Sequence, residues 1–168
     1  MNSDFKELLS AFNAAKVRYL VVGGYAVMTY TEPRYTKNLD LWGDATPKNA
    51  RAVFCALKKF GAPLENLTEQ DFAKEGHFYQ IGRPPARVDI LMSIDGVSFA
   101  EAWRARVPTE FGEVPTQVIP RKHLILNKRA SGRPLDLIDA TSLEESERID
   151  EANRRKARRQ RKQRPEGL

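Results

Sequence analysis

The sequence predicts an α/β fold of the α+β type, in which helices pack on one mixed β-sheet. Short apolar runs rich in β-branched and aromatic residues alternate along the chain with longer segments whose apolar residues recur at helical spacing. These segments follow the order α-β-α-β-α-β-β-α-β-α-α, and one adjacent pair of strands has the short connection of a hairpin. The order indicates a single sheet with both hairpin and crossover connections, covered by helices.

The first half of the chain contains three predicted helices and two predicted strands. The first strand ends at Gly23-Gly24, and the short helix after it has to stop before Pro33. Thr46 followed by Pro47 is a strong helix start, because a capping residue precedes a proline at the first helical position. The predicted elements are a helix at 3–15, a strand at 18–22, a helix at 25–30, a strand at 39–42 and a helix at 47–60.

The second half contains the predicted hairpin and two helices near the C-terminus. Turn residues from Gly82 to Pro85 separate two strand-like segments, which indicates the hairpin. Ser131-Gly132 interrupts the helical pattern further on. The predicted elements are a short capped helix or turn at 67–74, strands at 78–81 and 87–91, a helix at 99–106, a short strand at 114–119 and helices at 120–130 and 134–143.

Charge divides the chain into a neutral body and a basic end. Residues 151–168 carry eight Lys/Arg and two Glu, which equals the whole net charge of +6. We therefore predict a folded domain at 1–143, and a charged helix with a basic C-terminal arm at 144–168. The basic arm favours RNA, with tRNA as one candidate, as a partner, because Lys/Arg clusters gain affinity by releasing counterions. A solvated, disordered tail is the alternative for a run of like charges.

Several classes of protein are excluded or disfavoured by composition. No stretch approaches 18 consecutive apolar residues, so no transmembrane helix and no membrane partner are expected. The first residues lack the basic-then-apolar order of a signal peptide, and the expected location is cytoplasmic. Cys55 is the single cysteine, so no internal disulfide can form. His77 and His123 lack the spacing of zinc ligands.

Two motifs in the first half are candidates for a phosphate and metal site. Gly23-Gly24 lies at a strand-to-helix junction, where backbone N–H groups can approach a phosphate closely. Asn38 and Asp40 lie two residues apart on the next strand, so both side chains point to one face and can offer oxygen to a hard cation such as Mg²⁺. A tight turn and a solvated sheet face are the alternative explanations.

Further along, Asp89 lies on the strand at 87–91 between Val88 and Ile90, where aspartate is uncommon. Asp89 is therefore a third candidate ligand, although a salt bridge to Arg87 would also explain it. Lys128, in a predicted helix, and the break that follows it are candidates for holding a triphosphate. Helix capping at Pro134 and Asp136 is the alternative there. Two cations ahead of the second strand are further phosphate candidates, with surface solvation as their alternative: Arg34 and Lys37.

These motifs, in this order, resemble the stand-alone prokaryotic nucleotidyltransferases of the DNA polymerase β superfamily. The resemblance covers about 17–143 and is carried by three stretches: Val21-Val-Gly-Gly-Tyr-Ala-Val27, Arg34-Tyr-Thr-Lys-Asn-Leu-Asp-Leu-Trp42 and Arg87-Val-Asp-Ile-Leu91. It is greatest to the AbiEii-like and minimal nucleotidyltransferases of toxin–antitoxin and defence loci. The resemblance implies a nucleotidyltransferase-like fold for residues 1–143. It also implies that Gly23 and Gly24 bind phosphate, that Asp40 and Asp89 bind Mg²⁺ or Mn²⁺, and that Lys128 contacts phosphate.

Asn38 departs from this family pattern, which has an aspartate as the first of three metal-binding carboxylates. Asparagine keeps a carbonyl oxygen but loses the charge, and fewer charges weaken the attraction for metal ions. Three explanations stay open: a natural variant that works with one tight metal ion, an engineered inactivating change, or a domain that binds nucleotide without transferring it.

The resemblance implies a metal-dependent nucleotidyltransferase that moves a nucleoside monophosphate from an NTP to a hydroxyl of RNA (tRNA) or protein. The expected catalytic residues are Asp40, Asp89 and Asn38, and Asp89 could act directly as the base. A toxin–antitoxin or defence system, with a cognate toxin or antitoxin as partner, is the expected context. The alternative is a catalytically weakened module, an antitoxin or regulator, that binds a nucleotide, RNA or a partner protein.

Overall fold

The computed structural model describes residues 3–163, and side chains as far as residue 161. It confirms the predicted fold class: six helices and one short 3-10 helix surround a six-stranded mixed sheet in this part of the chain. The strands are β1 (Tyr19–Val22), β2 (Asn38–Gly43), β3 (Phe78–Ile81), β4 (Arg87–Leu91), β5 (Val107–Phe111) and β6 (Val114–Val118). The helices are α1 (Ser3–Ala14), α2 (Gly23–Tyr30), α3 (Pro47–Phe60), α4 (Phe99–Arg104), α5 (Arg121–Ser131) and α6 (Pro134–Gln163), with the 3-10 helix at Glu69–Ala73.

The sheet has the strand order β3-β4-β2-β1-β6-β5. The pairs β1–β2, β3–β4 and β5–β6 are antiparallel, whereas β2–β4 and β1–β6 are parallel. The strands β2 and β4 lie near the centre of one half of the sheet, and residues along them are paired in register from Asn38 opposite Arg87 to Trp42 opposite Leu91. The order in the sheet therefore places the two motif strands side by side, although α3, the 3-10 helix and β3 lie between them in the sequence.

Each face of the sheet is covered by different helices. On one face, Tyr19 packs edge-on against Phe12 of α1, with ring centroids 5.4 Å apart. Leu39 and Leu41 point to this face and are fully buried, as their alternation with polar residues predicts. Trp42 points to the other face, yet it is also buried, because α4 covers it and Phe99 packs against its ring at 5.1 Å. Only part of the second face is therefore left open for a site.

The structure shows one strand that the sequence analysis did not predict, β5. Proline is depleted in strands because it has no N–H to donate, and Pro108 hides this strand in the sequence. Proline is tolerated here because β5 is an edge strand. It joins β6 through Gly112 and Glu113, which both have positive φ, as a two-residue hairpin turn requires.

Helices α2, α4 and α6 each have a boundary that differs from the prediction by two residues or more. Helix α2 begins at Gly23, two residues earlier than predicted, so the diglycine forms its first turn. Helix α4 ends at Arg104 rather than at residue 106. Helix α6 runs without a break across the proposed domain boundary at 143/144, and the basic residues up to Arg161 lie on this same helix. Residues 164–168 of the predicted arm lie outside the described residues. No helix within residues 3–163 has the length and apolar character needed to span a bilayer.

Candidate active site

The parallel pairing of β2 and β4 builds the centre of the site. Asp40 is the register partner of Asp89, and Asn38 is the register partner of Arg87. Neighbouring strands lie about 4.8 Å apart, and residues two apart on a strand share a face, so all four side chains point to the open side of the sheet. The structure therefore brings together the three predicted metal ligands.

Asn38 lies between the two carboxylates and bonds to both. Its side-chain Nδ2 donates to Asp40 Oδ1 at 2.9 Å and to Asp89 Oδ2 at 2.9 Å. Arg87 also donates to Asp89 Oδ2 at 2.9 Å, which is the salt bridge that the sequence analysis gave as the alternative explanation for Asp89. In this arrangement the amide NH₂ of Asn38 takes the position of a small cation between two anions.

Burial and charge alter the protonation of Asp40. Burial, and then the negative charge of Asp89, raise the pKa of Asp40 to about 6, against opposing effects of Lys128, Arg87 and the Asn38 hydrogen bond. In the unfolded chain the same carboxyl has a pKa of 3.8. At a pH between these two pKa values, Asp40 is protonated in the folded protein and ionised in the unfolded chain. The folded state therefore loses stability as pH rises through this window.

We expect Asp40→Asn to stabilise the ligand-free protein at pH 8 by about 2–3 kcal/mol, because the penalty for an ionised buried carboxyl is removed. The gain should vanish near pH 3.5, where both states hold the proton. Urea unfolding across this pH range measures the effect. The control is Asp71→Asn, since hydrogen bonds from Thr68 lower the pKa of Asp71. That variant should lose stability at neutral pH and recover it in acid, and the same pH dependence in both variants would contradict the assignment.

The diglycine approaches the carboxylates so closely that no side chain fits there. Gly23 has φ of +63°, and a Cβ at this position would lie 2.1 Å from Asp40 Oδ2. A Cβ on Gly24 would lie 2.6 Å from Thr36 Oγ1. The start of α2 thus lies directly against the side chains of Asp40 and Thr36, and free helix N–H groups at such an end attract anions.

Cations from three segments line the other side of the site and are held by two buried carboxylates of α6. Lys128 is buried and donates to Asp136 at 2.7 Å, with Asp139 at 3.0 Å. Arg34 pairs with Asp139 at 2.8 Å, and Arg133 pairs with Asp136 at 2.6 Å. Asp136 and Asp139 therefore fix the three cations in place beside the carboxylate pair of the sheet.

Apart from Asp139, these residues line one open cavity of about 870 Å³, large enough for a nucleotide and part of a second molecule. All eight residues that the sequence analysis singled out lie on its wall: Gly23, Gly24, Arg34, Lys37, Asn38, Asp40, Asp89 and Lys128. The structure establishes their convergence, while their individual roles stay predictions. Among the lining residues that were not assigned a role from the sequence are Tyr35, Phe78, Gln80 and Leu91. The predicted hairpin already pairs the strand at 78–81 with the strand of Asp89, but nothing in the local sequence marks these residue types as ligands.

The donor set fits one hard divalent cation. Asp89 Oδ1 is buried and has no hydrogen-bond partner among the described residues, so an acceptor oxygen is left for a ligand. Residues 3–163 contain no group of three or more His, Cys, Asp or Glu side chains that could hold a metal ion, so Asp40 and Asp89 would need an oxygen from another type of residue. The third oxygen would be the carbonyl of Asn38, which faces the carboxylates after a half-turn about χ2. Two carboxylates and an amide carbonyl are ligands that Mg²⁺ and Mn²⁺ accept.

No protein-family model matches this chain, and no curated protein matches it in sequence. Its fold is similar to the crystal structure of the lincosamide antibiotic adenylyltransferase LnuA bound to lincomycin, with a TM-score of 0.54. The two chains are 15% identical, and the superposition covers 86% of this chain and 96% of the other. At this identity the similarity establishes the fold: the chain has a nucleotidyltransferase fold.

Proposed function

We propose that this protein is a metal-dependent nucleotidyltransferase that moves a nucleoside monophosphate from an NTP to a hydroxyl group, with RNA as the favoured acceptor and protein as the other. One observation carries the proposal: Asp40 and Asp89 are register partners in a cavity that also contains the diglycine turn and a buried lysine. Any one of these features has an ordinary structural explanation. Their convergence on one cavity supports binding of a triphosphate beside two carboxylates.

The side chains and backbone of the site suit both parts of the reaction, the departure of pyrophosphate and the activation of the acceptor hydroxyl. The N–H groups of Gly23 and Gly24 would hold the β- and γ-phosphates, and Arg34, Lys37 and Lys128 would neutralise the charge that develops as pyrophosphate leaves. Asp89, with its unpartnered Oδ1, would take the proton from the acceptor hydroxyl. Mg²⁺ or Mn²⁺, held by Asp40, Asp89 and the carbonyl of Asn38, would when bound neutralise the triphosphate and acidify the acceptor hydroxyl.

Transfer of label from an α-labelled NTP tests this proposal. The native chain and Asn38→Asp are incubated with Mg²⁺ or Mn²⁺ and with candidate acceptors: total tRNA, an RNA oligonucleotide, the protein itself and lincomycin, which the similar crystal structure contains. We expect labelled RNA, and loss of the label in Asp89→Asn. No labelled product from either chain with any acceptor would rule out transferase chemistry for this site.

A second function, nucleotide binding without transfer, is favoured by one specific observation. The Asn38 amide donates to one oxygen of each carboxylate at 2.9 Å, so the two side chains are held together in the ligand-free site without a metal ion. A regulator or antitoxin that senses NTP would need only to bind the nucleotide, without metal-dependent transfer. NTP binding without turnover, in the native chain and in Asn38→Asp alike, would select this function. A toxin–antitoxin or defence role for either function rests on the family resemblance alone and is part of the proposal.

The basic end of α6 is proposed as the RNA contact. Six basic side chains between residues 154 and 161 are exposed, on a helix whose first turns hold the cations of the site. At 1.5 Å per residue, Arg155 lies about 24 Å along the helix from Asp139. An acceptor RNA would therefore contact the protein at two separated places.

Truncation after Glu151 is expected to weaken RNA binding strongly and to flatten its salt dependence, because up to eight cations are removed. Fluorescence anisotropy of labelled tRNA at several salt concentrations measures both. A shorter truncation after Gln163, which keeps seven of the eight basic residues, is the control and should bind nearly as the full chain does. If RNA binding by the full chain and by the chain truncated after Glu151 had the same salt dependence, the basic arm would not be an RNA contact.

A further inference from the structure

We propose that strand β3 forms the acceptor subsite, in which a nucleoside of the acceptor stacks on Phe78 beside Gln80. This inference rests on the proposed transferase function and names the part of the acceptor that the cavity recognises. Phe78 and Gln80 both line the same cavity as Asp40 and Asp89.

The order of groups across the sheet sets the direction of the reaction. The diglycine follows β1, and then come Asp40 on β2, Asp89 on β4 and Gln80 on β3. In the transfer, the acceptor oxygen forms a bond to the α-phosphorus and the bond from that phosphorus to the α,β-bridging oxygen breaks. Pyrophosphate leaves with that electron pair, and the hydroxyl proton passes to Asp89. An in-line displacement needs the attacking oxygen opposite the leaving oxygen. Since the diglycine and Arg34 lie at the pyrophosphate side, the acceptor has to enter from β3.

The register of β3 turns Phe78 and Gln80 toward this entry. Gln80 is the register partner of Asp89, and Phe78 is the partner of Leu91. Residues two apart share a face, so both point into the cavity. The intervening Tyr79 points the other way and packs against Phe72, with ring centroids 5.9 Å apart. Phe78 is 63% exposed, so it contributes little to the core and its side chain is accessible to a ligand.

The chemistry of this subsite matches a nucleoside. An exposed aromatic ring binds any base by stacking, independent of sequence. The amide of Gln80 offers both a donor and an acceptor to the edge of a base. Leu91, opposite Phe78, gives an apolar floor in the same cavity. The nucleoside could belong to the end of an RNA or be free in solution; the basic end of α6 favours RNA.

Binding of two fluorescent probes to the full chain tests the subsite. One probe is a 12-nucleotide single-stranded RNA with 2-aminopurine at its 3′ end, and the other is free 2-aminopurine riboside; stacking on an aromatic ring quenches both. We expect quenching with the native chain and with Phe78→Trp, and loss of quenching with roughly tenfold weaker binding in Phe78→Ala. Quenching of the RNA alone assigns the site to RNA ends, and quenching of both assigns it to nucleosides in general.

Tyr35→Ala is the matched control, because Tyr35 is an aromatic residue of the same cavity, 73% exposed, on the loop before β2. Its loss should leave the quenching unchanged, and loss of quenching there but not in Phe78→Ala would overturn the inference. In turnover, Phe78→Ala should raise the KM for the acceptor and leave the KM for NTP unchanged. If Phe78→Ala transfers label with an unchanged KM for the acceptor, the acceptor subsite is overturned and the transferase function stands. Phe78-dependent quenching with no label transfer by any chain overturns the transferase function and leaves a nucleoside-binding site.

Discussion

Asn38→Asp is expected to bind Mg²⁺ and Mn²⁺ roughly tenfold or more tightly than the native chain, because a third carboxylate adds a full negative charge within a few ångströms of the cation. The same change should destabilise the metal-free protein at pH 7 by about 2 kcal/mol. The amide that donates to Asp40 and Asp89 is lost, and a third anion takes its place. Metal affinity and metal-free stability should therefore change in opposite directions.

Thermal unfolding across a series of metal concentrations measures both effects in one experiment. The melting temperature of Asn38→Asp should start below that of the native chain and rise more steeply with Mn²⁺, since a ligand stabilises the state that it binds. Label transfer from NTP should rise with the metal affinity. Equal metal dependence in the two chains would show that Asn38 does not face the cation.

The matched control is Asn127→Asp, an asparagine of the same cavity on α5 whose side chain donates to the backbone carbonyl of Asp95. It adds the same charge to the same cavity, but away from the pair formed by Asp40 and Asp89. A gain in metal affinity from Asn38→Asp alone would assign the effect to the ligand position. A similar gain from both changes would instead reflect the general negative potential of the cavity.

The sequence predicted the central part of the fold because its signals there are local. Alternation in β2 and β4 fixed which side chains share a face, and Gly23-Gly24 marked the turn that approaches Asp40. Edge strand β5 was not predicted, because Pro108 argues against a strand wherever the position in the sheet is unknown. Trp42 lies two residues from Asp40 and so shares its face, but its burial depends on α4, which packs on it from elsewhere in the chain.

The parts of the site that the sequence did not predict depend on contacts between distant segments. The pairing of Arg34 with Asp139 joins residues 105 apart, and the donation from Asn38 to Asp89 joins residues 51 apart. No local pattern marks such pairs. Phe78 and Gln80 look like ordinary residues of the predicted hairpin, and only the placement of β4 beside β2 makes that hairpin part of the site.

Lys128→Met is expected to destabilise the protein by about 3 kcal/mol at pH 7, because it leaves two buried carboxylates without their shared cation. Although burial alone would raise it, the pKa of Asp136 is held below its usual value by hydrogen bonds from Lys128, Arg133 and Ser131. A carboxyl whose pKa is lowered by folding stabilises the protein at neutral pH, and this stabilisation is lost as the pH falls through the pKa of the folded state. The penalty of the substitution should therefore be largest near pH 7 and shrink in acid. Urea unfolding at both pH values measures it.

Two further variants separate the loss of charge balance from the loss of packing. Lys122→Met removes an exposed lysine of the same helix and should change stability by less than about 0.5 kcal/mol. Adding Asp136→Asn to Lys128→Met removes one of the two carboxylates that Lys128 neutralises, leaves Asp139 paired with Arg34, and should restore part of the stability at pH 7. It should not restore NTP binding, because the cation that faces the cavity is still missing. Recovered stability with unrecovered binding would show that Asp136 and Asp139 serve to hold a phosphate-binding lysine in place. Recovery of both would make Lys128 a purely structural cation and leave Arg34 and Lys37 as the phosphate ligands.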